Sequence, residues 1–348
     1  MKALLIITGR GMGGDAVTAL NIAHALSKKG VKCEFALDHT AQGLLLQKKG
    51  IKWHKINIPQ AGGHAATRIK LAKAGLKTTK ASIEALKLIK KVKPNVVVGI
   101  IGGGAIVGCL SAKLARVRAV GILITPTDAK VCTKLNANIV LPESNLFRQK
   151  LEEKNIYKSY SPINPEVMGG NKEKAMEKMP KTFDPQKPTL LFSSGSSLFE
   201  ITAKAALKIS MSDIDANIIV VGHPLEDRFL DYLHQKNIHY LGYVDWIHDL
   251  YELADLAVLS DDGVMIHEAI ACKVPIVALT GVKYGRYHNM ASVFPGAVVE
   301  SSLEELEKNI EDVLENIDQM KKEANRYGED VLNSASKIAD IIICEAEN

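Results

Sequence analysis

Short apolar runs alternate with amphipathic segments along the whole chain. The runs predict buried strands over Ala3–Thr8, Cys33–Leu37, Asn95–Ile101, Ala119–Ile124 and Ile139–Leu141, then Thr189–Ser193, Ala216–Val221, His239–Gly242, Leu256–Leu259 and Ile276–Leu279. Helical periodicity between the runs predicts helices over Val17–Lys29, Ala41–Lys49, Lys80–Lys93 and Val107–Ala115, then Glu200–Lys208, Arg228–Gln235, Trp246–Ala254 and Val264–Ala271. This alternation is typical of α/β proteins with parallel sheets.

The pattern is interrupted once, near the middle of the chain. Residues 160–165 contain two prolines and an asparagine, and a Lys-rich stretch follows. A length of 348 residues also favours two domains. We predict an N-terminal Rossmann-like domain over 1–162 and a C-terminal one over 163–330, facing each other across a cleft. Long helices are predicted over 303–315 and 320–346, and we expect residues 331–348 to pack back across the domain boundary.

The composition is that of an ordinary globular protein, with 47% hydrophobic and 24% charged residues. No apolar run approaches the roughly 20 residues that a membrane-spanning helix needs. The five cysteines are scattered without a CxxC pair, which predicts buried free thiols rather than a zinc site. These features favour a reducing, cytoplasmic location.

The net charge of +5 hides a strong asymmetry. Residues 1–160 carry 27 Lys and Arg against 8 Asp and Glu, whereas residues 161–348 carry 17 against 31. A basic first half attracts nucleic acid or an anionic membrane surface. Few aromatic residues and no nucleic-acid motif accompany it, which favours the membrane. The segment 67–77 pairs basic and apolar residues at helical spacing, typical of either a membrane-surface helix or a solvated one.

One strand–loop–helix segment combines two kinds of ligand chemistry. The apolar run over 256–259 ends in Ser-Asp-Asp-Gly, and a helix is predicted to begin at once. N–H groups at a helix start bind anions, so Gly263, Val264 and Met265 are candidates for binding a diphosphate. Glu268, about one turn further on, can accept hydrogen bonds from two sugar hydroxyls. A glycine-capped helix with an early glutamate is also stable without a ligand, so both interpretations stay open.

Glycine-rich loops follow two predicted strands of the first half. The loop over 8–15 contains Gly9-x-Gly11-x-x-Gly14, a weak indication of dinucleotide binding. It ends at Asp15, which is either a general base or a helix N-cap. Three consecutive glycines over 102–104 favour close approach of a ligand to the backbone.

Two further loops belong to the second half. The segment 193–197 offers hydroxyl and N–H groups to phosphate oxygens, with a capped turn as the alternative. The segment 281–289 mixes aromatic, basic and amide side chains, a composition that suits sugar recognition.

The order of these motifs resembles the GT-B glycosyltransferases, and within them family 28. The resemblance covers roughly residues 1–330 and is most specific over 243–275. It implies that Glu268 holds the ribose hydroxyls and Val244 offers backbone groups to the uracil edge. The whole implied donor site consists of Ser194, Gly195, Val244, Gly263, Val264, Met265, Glu268, Arg286 and Asn289. The implied acceptor site consists of Gly13, Gly14, Gly103 and Gly104, with Asp15 as catalytic base.

The chain departs from the family pattern at three places. The family's first loop ends Gly-Gly-His, whereas this chain has Gly13-Gly14-Asp15. An acidic residue that the family has after the fourth strand is replaced by the segment 125–127. An acidic or amide pair before the sugar-contacting Asn289 appears as Gly285-Arg286. These departures concern the donor sugar and the acceptor more than the nucleotide.

The resemblance implies an inverting, metal-independent transferase. It would move a sugar, N-acetylglucosamine, from a UDP donor to a polyprenyl-diphosphate-linked cell-envelope precursor or another glycolipid. The UDP-sugar would be a co-substrate, with no cofactor, no metal and no nucleic acid, and the enzyme would lie on the cytoplasmic face of the membrane. The alternatives are a UDP-N-acetylglucosamine 2-epimerase, a dinucleotide oxidoreductase and a non-catalytic nucleotide-sugar-binding protein.

Overall fold

Two compact units make up the chain: Met1–Pro162 together with Asn333–Asn348, and Ile163–Leu332. The computed structural model describes residues 1–8, 13–59, 68–124, 126–141, 156–261, 263–282 and 289–347, with the backbone alone for 68–76 and 126–127. Each unit contains one parallel sheet flanked by helices. The predicted α/β class is confirmed.

The first unit is built on a seven-stranded parallel sheet in the order β3-β2-β1-β4-β5-β6-β7. Its strands are β1 (Lys2–Ile7), β2 (Lys32–Asp38), β3 (Trp53–Ile56), β4 (Val96–Ile100), β5 (Arg118–Leu123), β6 (Ala137–Val140) and β7 (Ile156–Lys158). Its helices are α1 (Gly14–Lys28), α2 (Leu44–Lys48), α3 (Arg68–Val92), α4 (Gly102–Ala115), α5 (Pro126–Cys132) and, from the end of the chain, α13 (Ser334–Glu347). The strand order reverses between β1 and β4, which makes this pair the switch point where ligands bind in such sheets.

The last helix of the chain completes the core of the first unit. Ile338 and Ile342 of α13 are fully buried in the same cluster as Ile22 and Leu26 of α1. Polar contacts at the rim add to this packing, because Lys29 Nζ lies 2.8 Å from Asp340 Oδ1. Burial of this apolar face is the main force that attaches α13.

The second unit is built on a six-stranded parallel sheet in the order β10-β9-β8-β11-β12-β13. Its strands are β8 (Thr189–Leu198), β9 (Asn217–Pro224), β10 (Ile238–Gly242), β11 (Leu256–Ser260), β12 (Ile276–Leu279) and β13 (Val298–Ser301). Its α-helices are α6 (Lys172–Glu177), α7 (Glu200–Ser210), α8 (Ile247–Leu253), α9 (Val264–Ala271), α10 (Met290–Val293), α11 (Leu306–Glu315) and α12 (Ile317–Leu332). Here the order reverses between β8 and β11, which is the corresponding switch point.

Several predicted elements need correction. The segment 193–197 is not a loop but the bulged end of β8, whose register against β9 shifts between Ser193 and Ser197. The helix predicted over Arg228–Gln235 is a 3₁₀ helix over Asp227–Leu233. The helix predicted to begin at Lys80 begins at Arg68. The tail over 320–346 is two helices that meet at Asn333, where the chain passes from one unit to the other. None of the described helices combines the length and apolar character that crossing a membrane requires.

Candidate functional site

The switch point of the second sheet brings together two of the predicted ligand segments. Strands β8 and β11 are parallel neighbours, with Leu259 opposite Ser193, so the segments after both strands lie at one edge. Ser193 Oγ lies 3.3 Å from Met265 Sδ in the first turn of α9. The structure therefore brings the two predicted segments together, although β8 continues further than predicted, and their role in ligand binding stays a prediction.

The start of α9 is a candidate site for an anion. Its N-cap is Gly263, and no described side chain caps this end. Gly263, Val264 and Met265 are all partly exposed. Their N–H groups stand at the positive end of the helix dipole, an arrangement that stabilises phosphate oxygens. Asp262, the preceding residue, lies outside the described residues.

The bulge in β8 depends on a glycine. Gly195 has φ +98°, a backbone conformation that side chains with a Cβ rarely adopt. Its N–H donates to Ser193 Oγ at 3.1 Å. The buried Ser194 hydroxyl accepts from Phe199 N at 3.0 Å and donates to Ser197 O at 2.9 Å, which secures the start of α7. In this structure the Ser194 hydroxyl therefore stabilises the bulged end of β8 and the start of α7.

Glu268 has a buried tyrosine as its partner. Tyr251 of α8 is 2% exposed, and its hydroxyl donates to Glu268 Oε2 at 3.2 Å. Burial raises the pKa of Glu268 from its usual value to about 7, and the hydrogen bond from Tyr251 lowers it in part. The carboxyl group therefore changes charge near neutral pH. The sequence analysis missed Tyr251, since an apolar helix position for a tyrosine predicts core packing only.

The other predicted donor residues lie further along the same sheet edge or outside the described part. Val244 follows the edge strand β10 and is partly exposed. Asn289 is the N-cap of α10, where its Oδ1 accepts from Ser292 N at 2.7 Å and its Nδ2 donates to Glu300 Oε2 at 3.1 Å. Arg286 lies outside the described residues. The role of each in donor binding stays a prediction.

The next question is whether the described residues contain a group of side chains that could bind a metal ion. The His, Cys, Asp and Glu side chains of the described residues form no group of three or more suited to hold a metal ion. The expectation of a metal-free reaction stays a prediction.

At the switch point of the first sheet the end of β1 lies against the start of α4, and residues 9–12 of the loop after β1 lie outside the described residues. Gly13 is the N-cap of α1, and Asp15 lies within its first turn. The interpretation of Asp15 as the N-cap is therefore wrong, because the helix begins at Gly14 and Asp15 lies inside it. A carboxylate in the first turn still interacts favourably with the helix dipole. Asp15 is only partly buried, and its role as a base stays a prediction.

Packing explains two of the three consecutive glycines. A Cβ on Gly103 would lie 2.3 Å from the Pro59 carbonyl oxygen, and one on Gly104 would lie 2.6 Å from the Ile6 carbonyl oxygen. Gly104 N also donates to the Thr8 hydroxyl, which ties α4 to the end of β1. These two positions require glycine with or without a ligand, so they do not by themselves indicate close approach of a ligand, and their role in acceptor binding stays a prediction.

A buried aspartate that the sequence analysis missed supports the same loop. Asp128 in α5 is fully buried, and its Oδ2 accepts from Gly102 N at 2.9 Å and Ile124 N at 3.4 Å. Asp128 follows directly after the segment 125–127, which stands where the family has an acidic residue. Its position after a proline at a helix start was the available signal.

Comparisons with known proteins agree with this arrangement. The family model described as "Glycosyltransferase family 28 N-terminal domain" matches residues 5–120, and the one described as "Glycosyl transferases group 1" matches residues 177–331. A UDP-N-acetylglucosamine--N-acetylmuramyl-(pentapeptide) pyrophosphoryl-undecaprenol N-acetylglucosamine transferase of Clostridium novyi (strain NT) is 24% identical over 360 residues, which cover 98% of this chain and 97% of the relative.

Solved structures show the same fold. MurG of Acinetobacter baumannii matches with a TM-score of 0.69 and 16% identity over 99% of each chain. UDP-GlcNAc 2-epimerase from Neisseria meningitidis, bound to UDP-GlcNAc, matches with a TM-score of 0.68 and 15% identity over 99% of this chain and 100% of that one. Glycosyltransferase families match both halves of this two-sheet α/β protein, and the chain is therefore a GT-B glycosyltransferase that resembles family 28.

Proposed function

We propose that this enzyme transfers N-acetylglucosamine from its UDP form to a polyprenyl-diphosphate-linked acceptor. The observation that carries the proposal is the partly exposed start of α9 at the switch point, with Glu268 about one turn further along the same helix. A diphosphate at Gly263–Met265 places the adjoining ribose within reach of a carboxylate. The transferase named for Clostridium novyi supports both the donor and the acceptor class.

The chemistry we infer is inverting and needs no metal. An acceptor hydroxyl attacks the anomeric carbon from the side opposite the diphosphate, and Asp15 takes up the proton. The new carbon–oxygen bond forms as the bond to the phosphate oxygen breaks, and UDP leaves with the electron pair. N–H groups at the start of α9 then stabilise the charge that develops on the diphosphate. The acceptor is bound near Gly13, Gly14, Gly103 and Gly104.

The charge of the first half supports a peripheral position at the cytoplasmic face of the membrane. A net charge of +19 over residues 1–160 attracts an anionic lipid surface. A polyprenyl-linked acceptor resides in that surface, so membrane attraction and acceptor supply act together.

A donor-binding assay and a transfer assay test the proposal. Wild-type protein is expected to bind UDP-N-acetylglucosamine and to transfer the sugar to a short-chain polyprenyl-diphosphate-linked acceptor. Glu268→Ala should raise KM for the donor about 10-fold or more, because hydrogen bonds to a charged group contribute about 1.5–3 kcal/mol. Glu252→Ala, which removes an exposed carboxylate from α8, is the matched control and should leave KM unchanged. Equal KM values for wild type and Glu268→Ala would refute the donor site.

A nucleotide-sugar epimerase is the second candidate. The fold match to the Neisseria meningitidis 2-epimerase is almost as good as the match to MurG, so the fold does not separate the two activities. Incubation with UDP-N-acetylglucosamine alone does separate them. The transferase leaves this sugar unchanged without an acceptor, whereas an epimerase converts it to the 2-epimer, which chromatography of the nucleotide sugars detects.

A further inference from the structure

Tyr251 connects two parts of the proposed donor site. The hydroxyl lies 3.2 Å from Glu268 Oε2 and 3.5 Å from the Met265 carbonyl oxygen, which belongs to the first turn of α9. Tyr251 belongs to α8 and its side chain is buried, so this hydroxyl has little freedom to move. We propose that Tyr251 is a positioning residue, whose hydroxyl holds the Glu268 carboxylate in the orientation that receives the ribose. This inference rests on the donor site proposed above.

The hydrogen-bonding capacity of a phenol suits this task. A phenol hydroxyl donates one hydrogen and accepts others. With Glu268 ionised, Tyr251 donates to Oε2, and the remaining lone pairs of the carboxylate are left for ribose hydroxyls. With Glu268 protonated, the carboxyl group donates to Tyr251, which donates in turn to the Met265 carbonyl oxygen. The pair is satisfied in both states, but only the ionised state accepts fully from the ribose.

Electrostatics give the hydroxyl a second effect. Burial and the charge of Glu268 raise the pKa of Tyr251 well above its usual value, so the phenol keeps its hydrogen at neutral pH. Its donation lowers the pKa of Glu268, which burial raises to about 7. Without this hydroxyl, a larger fraction of Glu268 is protonated at neutral pH. Tyr251 therefore favours the form that binds the ribose.

Other ionisable groups also lie around α9. Cys272 ends the helix, and burial raises the pKa of its thiol to about 12, so it stays neutral in the range concerned. That thiol donates to the Val167 carbonyl oxygen at 3.6 Å. Helix α12 approaches α9 at Gly328, which has no side chain to titrate. Asp261 and His267 are further ionisable residues, and both are buried near the start of α9. Glu252, on α8, is ionisable as well and is exposed.

The test measures the Kd of UDP-N-acetylglucosamine between pH 5.5 and 8.5 without acceptor. The diphosphate of this probe is a diester and does not titrate in that range. Wild-type affinity should fall below about pH 7 as Glu268 gains a proton. Tyr251→Phe should weaken binding about 10-fold at pH 7, a loss typical of a hydrogen bond to a charged group. It should also move the midpoint upward by about one pH unit, which a purely structural role would not do.

Two further variants make the result specific. Glu268→Gln should bind weakly at every pH, and adding Tyr251→Phe to it should change little, because the two side chains act as one unit. Tyr327→Phe removes a hydroxyl that donates to the Pro295 carbonyl oxygen at 3.0 Å in the same unit, and should behave as wild type. Wild-type Kd and midpoint in Tyr251→Phe would overturn the positioning role alone. Wild-type binding by Glu268→Gln would overturn the donor site and the positioning role with it.

A second measurement leaves the sequence unchanged and alters only the acidity of the tyrosine hydroxyls. Incorporation of 3-fluorotyrosine makes the phenol a stronger donor at little cost in volume. The midpoint for donor binding should move downward, and the shift should be absent in fluorinated Tyr251→Phe. An unchanged midpoint in the fluorinated wild type would also overturn the inference, even if Tyr251→Phe did not fold.

Discussion

At the scale of single residues, Glu268 opposes the stability of its own fold. Its pKa is about 7 in the folded protein against a usual value of 4.5, because burial disfavours the charged form. The folded state therefore binds more protons than the unfolded state between these pH values. The contribution of Glu268 to the free energy of unfolding is therefore fully retained below pH 4.5 and is lost as the pH rises through about 7. A shift of this size corresponds to a loss of about 3 kcal/mol in the free energy of unfolding when Glu268 is ionised. A neutral side chain at this position has no charge to bury and avoids that loss.

Glu268→Gln should therefore stabilise the ligand-free protein at alkaline pH. We expect a gain of up to about 3 kcal/mol in the free energy of unfolding at pH 8, and less than about 1 kcal/mol at pH 5, from urea unfolding curves. Glu329→Gln, at an exposed position of α12, should change neither value. A gain of the same size at both pH values would show that the effect does not come from this ionisation.

Sequence patterns predicted residues whose proposed role depends on their position in one helix or strand. They missed residues whose contacts form only in the folded protein. Glu268 was found because a helix start and a carboxylate about one turn later are local features. Tyr251 and Asp128 were missed because their partners, Glu268 and Gly102, lie far away along the chain. The spacing of residues within one helix or strand does not predict a contact with a residue in another element.

At the scale of elements, the strands that the sequence analysis did not predict lie at sheet edges. These are β3 and β7 in the first sheet and β13 in the second. All three are short, and β7 has no fully buried residue. An edge strand covers less of the core and so lacks the continuous apolar run that marks the central strands β1 and β4.

The junction of β1 and α4 gives a prediction at the same scale. Gly104→Ala should destabilise the protein by about 1–3 kcal/mol, because the new Cβ meets the Ile6 carbonyl oxygen and Thr8 N and the backbone must shift. Gly14→Ala at the start of α1 is the matched control, since its Cβ would meet nothing within 4 Å. Thermal unfolding of both variants checks this. Equal stability would mean that α4 moves away from β1 without cost.

At the scale of the whole molecule, the two halves of the chain carry net charges of opposite sign. Residues 161–348 carry an excess of 14 negative charges, while the first half is basic. A field of this kind acts over a Debye length of about 8–10 Å and is sensitive to salt. It therefore orients a protein at a charged surface without determining its fold.

Vesicle binding tests this scale. Sedimentation with vesicles containing phosphatidylglycerol should be strong at low salt, weak at high salt and absent with phosphatidylcholine alone. Two triple variants within α3 remove the same charge: Lys70, Lys73 and Lys77 to Gln, and Lys87, Lys90 and Lys91 to Gln. The first should lose about 100-fold in vesicle affinity, at about 1 kcal/mol for each charge near the surface. An equal loss in both variants would assign the effect to net charge rather than to the segment 67–77.

The sequence by itself determined the class of the protein. Apolar runs, helix starts and strand-end loops depend on neighbouring residues, so strand–helix alternation and the segment ending at Glu268 were readable without a structure. Only the tertiary structure decided which strands are neighbours, and so which loops meet at the switch points between β1 and β4 and between β8 and β11. It also decided that Gly103 and Gly104 serve packing and that Tyr251 faces Glu268. The physical reason is that burial and hydrogen bonding between distant residues arise from the whole fold, whereas periodicity is a local property.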